Sequence, residues 1–164
     1  MRARFEDYEL SDDAASLDLD RVYELLRDTY WAANRSREQI ALSLRHSLCF
    51  GVFQGGRQVG LARVLTDQGA SSYLCDVVID PEHRSRGLGG WLMRSILGHP
   101  AVARTRMLLV TRDAQEFYRR FGFAPVGVRK NYYAETNEDA LVMWAHEAQR
   151  AESVKKRNTV SRRA

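Results

Sequence analysis

VVIDPEHRSRGLGGWLM, residues 77–93, joins an apolar run to an amphipathic one through a loop holding Gly87, Gly89 and Gly90. The apolar run, YLCDVVID at 73–80, reads as a buried strand broken by Asp76, and Pro81 closes it because proline cannot donate to a sheet ladder. Beyond the loop, Leu88, Trp91, Leu92 and Ile96 recur at helical spacing, which predicts an amphipathic helix from about Gly87 to Leu97. Gly98 and Pro100 are expected to end it. At such a strand-to-helix junction the first helical N–H groups have no partner inside the helix, and the macrodipole favours negative charge there. Glycine lets backbone approach an anion closely, and Arg84 and Arg86 add positive charge beside it. A pyrophosphate fits that description. A dinucleotide fingerprint does not, because Leu92 occupies its third glycine position, and G-x-x-x-x-G-K-[ST] is absent. A glycine turn that merely starts a helix is the plainer alternative.

Outward from this segment the pattern is that of an α/β (α+β mixed sheet) protein. A short strand is expected near Arg4 to Glu9. Val22, Leu26 and Tyr30 then repeat every four residues as one helix, capped by Asp18 or Asp20, and Arg37 to His46 form another behind Ser36. CFGVF at 49–53 and QVGLARVL at 58–65 flank Gly55-Gly56, which permits the positive φ of a hairpin turn. MLLV at 107–110 reads as an interior strand covered on both faces. Ala114, Phe117, Tyr118 and Phe121 outline a short helix stopped by Gly122, and LVMW at 141–144 is the last strand. The order is helices, hairpin, strand, helix, strand, helix, strand.

The 164 residues suffice for one domain with its own core, and no repeat or linker divides them. Cys49 and Cys75 sit in apolar runs and are expected as reduced, buried thiols. No run reaches the ~18 apolar residues of a membrane span, and the start MRARFEDYEL lacks a signal-peptide apolar segment, so a cytoplasmic protein without a membrane partner is expected. The net charge of +4 resides in residues 146–164, where six basic residues face two acids. The body, 1–145, is therefore neutral, the tail is read as a solvated terminus, and no nucleic-acid partner is expected.

Arg84-x-x-Gly87-x-Gly89, after a strand and Asp80-Pro81, resembles the R/Q-x-x-G-x-G/A pyrophosphate motif of the GNAT acetyltransferases. About thirty residues later DAQEFYRRFGFAPV, 113–126, resembles that family's second signature, a short helix ending x-Y-x-x-x-G-F before a strand. The resemblance covers roughly residues 48 to 127. It implies the GNAT fold, a central mixed sheet flanked by helices, over a single domain at 1–145. It also implies acetyl-CoA as cosubstrate, with its pantetheine arm pairing with backbone of Val77, Val78 and Ile79. Its diphosphate would lie on the loop Arg84, Ser85, Arg86, Gly87, Leu88, Gly89 and Gly90. No resident metal is expected, and a homodimer is a mild expectation of the fold.

In that family the amine attacks the thioester directly, so the enzyme orients the reactants, polarises the carbonyl, takes a proton from the amine and stabilises the departing thiolate. Tyr118 matches the family's tyrosine that donates to this thiolate; the plainer alternative is a core position on the helix's apolar stripe. For the general base Asp76 leads, because a carboxylate in an apolar strand must be paired or functional. An ion pair with a neighbouring arginine is the equal alternative. Glu82, Asp113, His46 or a water chain are further options. The family's strand glutamate and loop asparagine are missing here, where MLLVTRD is followed by Ala114. The aromatic pair Tyr30-Trp31 and the run Asn131-Tyr132-Tyr133 are candidate acceptor-lining residues, and nine acids against four arginines in the first 30 residues weakly favour a cationic amine. The sequence thus points to an N-acetyltransferase acting on a small primary amine. Transfer to a protein or peptide amine, and a non-catalytic acyl-CoA-binding regulatory module, are the alternatives.

Overall fold

The computed structural model describes residues 1–133 and 137–146. The fold is α/β, a mixed eight-stranded sheet flanked by helices. The chain makes two compact units, one of residues 1–66 and 74–99, the other of residues 67–73 and those from 100 onward.

In the first unit the strands are β1 (Arg2–Phe5), β2 (Tyr8–Ser11), β3 (Leu48–Gln54), β4 (Arg57–Thr66) and most of β5 (Ser71–Ile79), adjacent in that order. The helices are α1 (Leu19–Arg27), α2 (Arg37–Arg45) and α3 (Leu88–Leu97). Asp18 caps α1 by accepting from the N–H groups of Asp20 and Arg21. Ser36 and Gln39 make a reciprocal capping box on α2. Both starts are therefore set locally. The β3–β4 hairpin turns on Gly55 and Gly56 at φ 55° and 81°, values that favour glycine at both positions. Val22, Leu25 and Leu26 of α1, Ile40 of α2, Leu61 of β4 and Val78 of β5 pack as one buried cluster. Each such side chain contributes about 1.5–3 kcal/mol when fully buried, so this cluster fixes α1 and α2 on one face of β4 and β5.

In the second unit the start of β5 is followed in space by β6 (Arg106–Thr111), β8 (Glu138–Ala145) and β7 (Ala124–Tyr133), with α4 (Pro100–Ala103) and α5 (Gln115–Arg119). Strand β8 pairs antiparallel with both β6 and β7. Ser72 and Thr105 share a buried hydroxyl hydrogen bond of 2.6 Å, and Arg106 N–H donates to the Ala70 carbonyl at 2.9 Å, which fixes the entry to β6.

Five expectations are corrected. The segment near Arg4 to Glu9 is not one strand but the β1–β2 hairpin, turning at Glu6 with φ 54°. Pro100 does not only stop a helix; it opens α4, where its missing N–H costs nothing at a first helical position. Strand β6 alternates buried Met107 and Leu109 with half-buried Leu108 and Val110, rather than being covered equally on both faces. Tyr30 does not share the helix of Val22 and Leu26, because α1 ends at Arg27. β7, where the family signature implied a strand, lies at the sheet's end and is almost wholly exposed. Cys49 and Cys75 are both free thiols; Cys49 is buried as expected, whereas Cys75 is only half-buried. Of the basic tail only His146 is described; residues 147–164 lie outside the described residues. Among the described residues no helix is long and apolar enough to cross a membrane.

Candidate functional site

The loop after β5 is built by backbone. Asp80 accepts from the Glu82 N–H and caps a short 3-10 turn, Pro81–His83, while Arg21 pairs with its carboxylate. Ser85 and Gly87 then adopt φ 61° and 80°, on either side of Arg86. Adding a Cβ to Gly87 would meet nothing closer than 3.6 Å, so its dihedral rather than its space demands glycine. Gly87 is the N-cap of α3 and offers no side-chain cap; the first hydrogen bond of the helix runs from Trp91 N–H to the Gly87 carbonyl at 3.0 Å. The N–H groups of Leu88, Gly89 and Gly90 thus open the helix without an intrahelical acceptor. Leu88 is buried and anchors this end, whereas Arg84, Ser85, Arg86 and Gly87 are exposed. An anion-binding edge is what this geometry provides.

The β1–β2 hairpin braces that edge, which the sequence did not suggest. Phe5 stacks on Trp91 of α3, centroids 5.6 Å apart and planes 25° from parallel. Buried Tyr8 shares a hydrogen bond of 3.1 Å with His83 Nδ1, and Arg86 Nη1 reaches the same phenol oxygen at 3.4 Å. Arg84 Nε donates to the Ile79 carbonyl at 3.0 Å, so one of the two cations expected beside an anion is tied to the end of β5. Asp80, Glu82 and His83 bring three ligand-type atoms within 4.8 Å of one another. Asp80 and the His83 Nδ1 are already engaged by Arg21 and Tyr8, so this is a structural knot.

Asp76 stands in the left-handed region at φ 52° in the middle of β5, directly before Val77, Val78 and Ile79. Its carboxylate is buried. Arg35 Nη1 donates to both oxygens at 2.9 Å, and Arg63 Nε donates to Oδ2 at 2.7 Å. The ion pair that the sequence allowed as an alternative is therefore formed, and with two arginines. Burial by itself would make the Arg63 guanidinium easier to deprotonate; the adjacent Asp76 charge outweighs that and holds its pKa above the ordinary value. Burial likewise pushes the neighbouring thiols up, Cys49 to about 11 and Cys75 to about 12.

In the second unit, Tyr118 lies in α5, buried, with its ring edge-on to Phe117 and Phe123. Its carbonyl accepts from the N–H groups of Phe121 and Phe123, and Gly122 takes φ 82° to make that turn. The Thr111 hydroxyl accepts from the Ala114 N–H and so fixes the entry to α5. Asp113 and Glu138 both pair with Arg112.

Of the acceptor-side candidates, Tyr30 and Trp31 meet edge-on at 4.8 Å, with Trp31 leaning on the α1–α2 core cluster. Among the described residues, Trp31 Nε1 is a buried polar atom without a partner. Tyr132 and Tyr133 also meet edge-on, and Arg129 lies over Tyr132. The early acids are largely engaged nearby: Glu9 with Arg4, Asp20 with Arg37 and Glu24 with Arg21, while Asp18 caps α1. His46 ends α2 as its C-cap.

The family model described as an acetyltransferase (GNAT) domain matches residues 45–125. A protein of Gibberella zeae, named provisionally as an acetyltransferase, is 31% identical over 140 residues, covering 71% of this chain and 78% of its own. The chain belongs to the GNAT acetyltransferase family. A crystal structure of a Xanthomonas campestris pv. campestris protein, described as belonging to the GNAT family, is 37% identical with a TM-score of 0.71, covering 79% of this chain and 89% of that one. A Bacillus subtilis protein named provisionally as a ribosomal-protein-alanine N-acetyltransferase is 42% identical over 76 residues, 43% of this chain. The match spans half of that relative's length. The stretch Arg84-x-x-Gly87-x-Gly89, which resembles a GNAT motif, spans the uncapped start of α3, and the stretch around Tyr118 that resembles the second signature forms α5 and the Gly122 turn.

Proposed function

We propose that this GNAT protein transfers the acetyl group of acetyl-CoA to the primary amine of a small molecule by direct attack, within a single domain at 1–145: the N–C bond forms, the C–S bond breaks, and the proton shed by the amine balances the one taken up by the departing thiolate. The observation that carries the reading is the start of α3. Three successive backbone N–H groups, from Leu88 to Gly90, lack intrahelical acceptors behind a glycine held at φ 80°, with exposed Arg84 and Arg86 alongside. A diphosphate satisfies those donors and meets the positive end of the helix dipole. Backbone of Val77, Val78 and Ile79 holds the pantetheine amides in this reading, and the resemblance assigns Tyr118 to the departing thiolate. A phenol with an ordinary pKa near 10 against about 8.5 for a thiol donates a hydrogen bond readily, whereas complete proton transfer is slightly uphill. Tyr118 is thus the electrostatic partner of the charge that develops on sulfur. The chain's other task is to hold the reactants together, which supplies much of the acceleration in a two-substrate transfer.

A protein or peptide amine is the second reading of the acceptor. It is favoured by the Bacillus subtilis relative, named for an alanine of a ribosomal protein. One experiment separates the two and tests the transfer itself: purified protein, acetyl-CoA and a panel of small amines and peptides, with thiol release followed over time. Release with small amines supports the first reading, and release only with peptides the second. No release with any acceptor, from protein that binds acetyl-CoA, leaves a binding module.

A further inference from the structure

Asp76 joins three separate parts of the first unit. Arg63 comes from β4, and its Nη1 donates to the Ser47 hydroxyl at 2.9 Å, which in turn donates to the Ser43 carbonyl of α2 at 2.7 Å. Arg35 comes from the segment between α1 and α2. The three differ in exposure: the Asp76 side chain is 3% exposed, Arg63 10% and Arg35 33%. Arg63 is thus the fixed counter-charge, and Arg35 the partner that reaches in from the surface. A base must be reached by the amine it deprotonates, and it must be able to hold the proton. Both Asp76 oxygens already accept from arginine donors and the side chain is 3% exposed, so an amine cannot reach either oxygen without displacing a guanidinium.

The segment that Arg35 ends carries Tyr30 and Trp31. Among the described residues the Trp31 indole N–H is buried without a partner. Arg35 Nη2 lies 3.5 Å from the Trp31 carbonyl, so the arginine touches both this segment and the strand.

We infer that Asp76 is a positioning residue of the proposed transfer and not its proton acceptor: anchored by Arg63, it latches Arg35 and holds the Tyr30–Arg35 segment beside Val77 as the acceptor-facing element. The inference rests on the acetyl-transfer reading and names the residue pair that governs its acceptor side.

The charged and titratable groups facing Asp76 are Arg35, Arg63 and the thiols of Cys49 and Cys75, the latter pushed up to about 11 and about 12. Guanidiniums stay charged throughout. An acid limb in the pH–rate profile between pH 6 and 9 that vanished in an Asp76 variant would therefore come from Asp76 itself. The test uses the full chain, an acceptor found in the amine panel, and the variants Asp76→Asn, Arg35→Gln and their combination. Steady-state kinetics are measured from pH 6 to 9, and acetyl-CoA affinity by calorimetry. The inference requires that both single variants lose about tenfold to a hundredfold in kcat/KM for the acceptor, chiefly through KM. It also requires that the acid limb stays where it is in the unaltered protein, and that the double variant is no worse than the poorer single one. Loss of the acid limb with a fall in kcat of ~10²-fold or more in Asp76→Asn, beside an unaffected Arg35→Gln, overturns it. Should Asp76→Asn fail to fold by circular dichroism, Arg35→Gln and Arg35→Lys decide: an unchanged acceptor KM in Arg35→Gln overturns the latch, and a raised KM partly restored by Lys supports it. Failure of the transfer reading is seen separately, as an unaltered protein that releases no thiol with any amine.

Discussion

Arg63 Nε lies 2.7 Å from Asp76 Oδ2, with both side chains largely shielded from water. A pair so placed is held less by its own attraction than by the penalty of separating it, since each charge left alone would be stranded without solvent. Arg63→Met removes the fixed partner and leaves the carboxylate with Arg35 only. The expected loss is about 3–5 kcal/mol of stability, read as a lower urea midpoint with an unchanged m-value. Combining Arg63→Met with Asp76→Leu should recover part of it, because the one charge then left without a partner, on Arg35, is one-third exposed and can turn to solvent.

Tyr118→Phe keeps the ring packing against Phe117 and Phe123 and deletes only the hydroxyl. Turnover is expected to fall by about 10- to 100-fold, while acetyl-CoA affinity by calorimetry changes little. Equal turnover in the variant removes Tyr118 from its assigned role.

Gly87 sits at φ 80°, and a Cβ there would meet the Phe5 ring at an ordinary 3.6 Å. Gly87→Ala therefore costs roughly 1–2 kcal/mol of backbone strain without a clash. Relief of that strain rotates the N–H groups of the first turn, so acetyl-CoA binding should weaken by more than stability alone explains. Calorimetry well below the melting temperature checks this. Because the ligand is anionic, affinity in the unaltered protein should also fall as salt rises from 50 to 500 mM.

Cys49 and Cys75 have thiols pushed up to about 11 and about 12 by burial. In the unfolded chain such thiols ionise near 8.5. Above that value the folded protein binds more protons than the unfolded one, so stability declines as pH rises from about 9 toward 11. The decline approaches about 1.4 kcal/mol per pH unit for each thiol. Unfolding midpoints at pH 8, 9 and 10 measure it, and Cys49→Ala combined with Cys75→Ala should flatten the slope. Native thiols should also react slowly with iodoacetamide at pH 8, since little thiolate is present.

Local rules explain why the first unit was readable. Asp18 and Ser36 cap their helices through hydrogen bonds two or three residues away, and Gly55-Gly56 sets its own turn. The strand, loop and helix around Gly87 announce themselves because proline, glycine and apolar spacing each act within a few residues. β7 was legible only through the family signature, since an exposed strand at the sheet's end has no buried face to impose alternation. The β1–β2 hairpin was hidden because its turn uses Glu6, an ordinary residue at a positive φ.

The sequence by itself determined the α/β class, the capped helices, the glycine-opened helix start and the family to which the motifs point. All of these depend on short-range sterics and periodicity, which a linear reading can see. What only the tertiary structure decided is which charges meet. Arg63 and Arg35 lie 13 and 41 residues from Asp76, and Tyr8 lies 75 from His83. Nothing in the order of residues selects those partners, because buried charges are paired by the packing of whole elements, and that packing is settled by the apolar core around them.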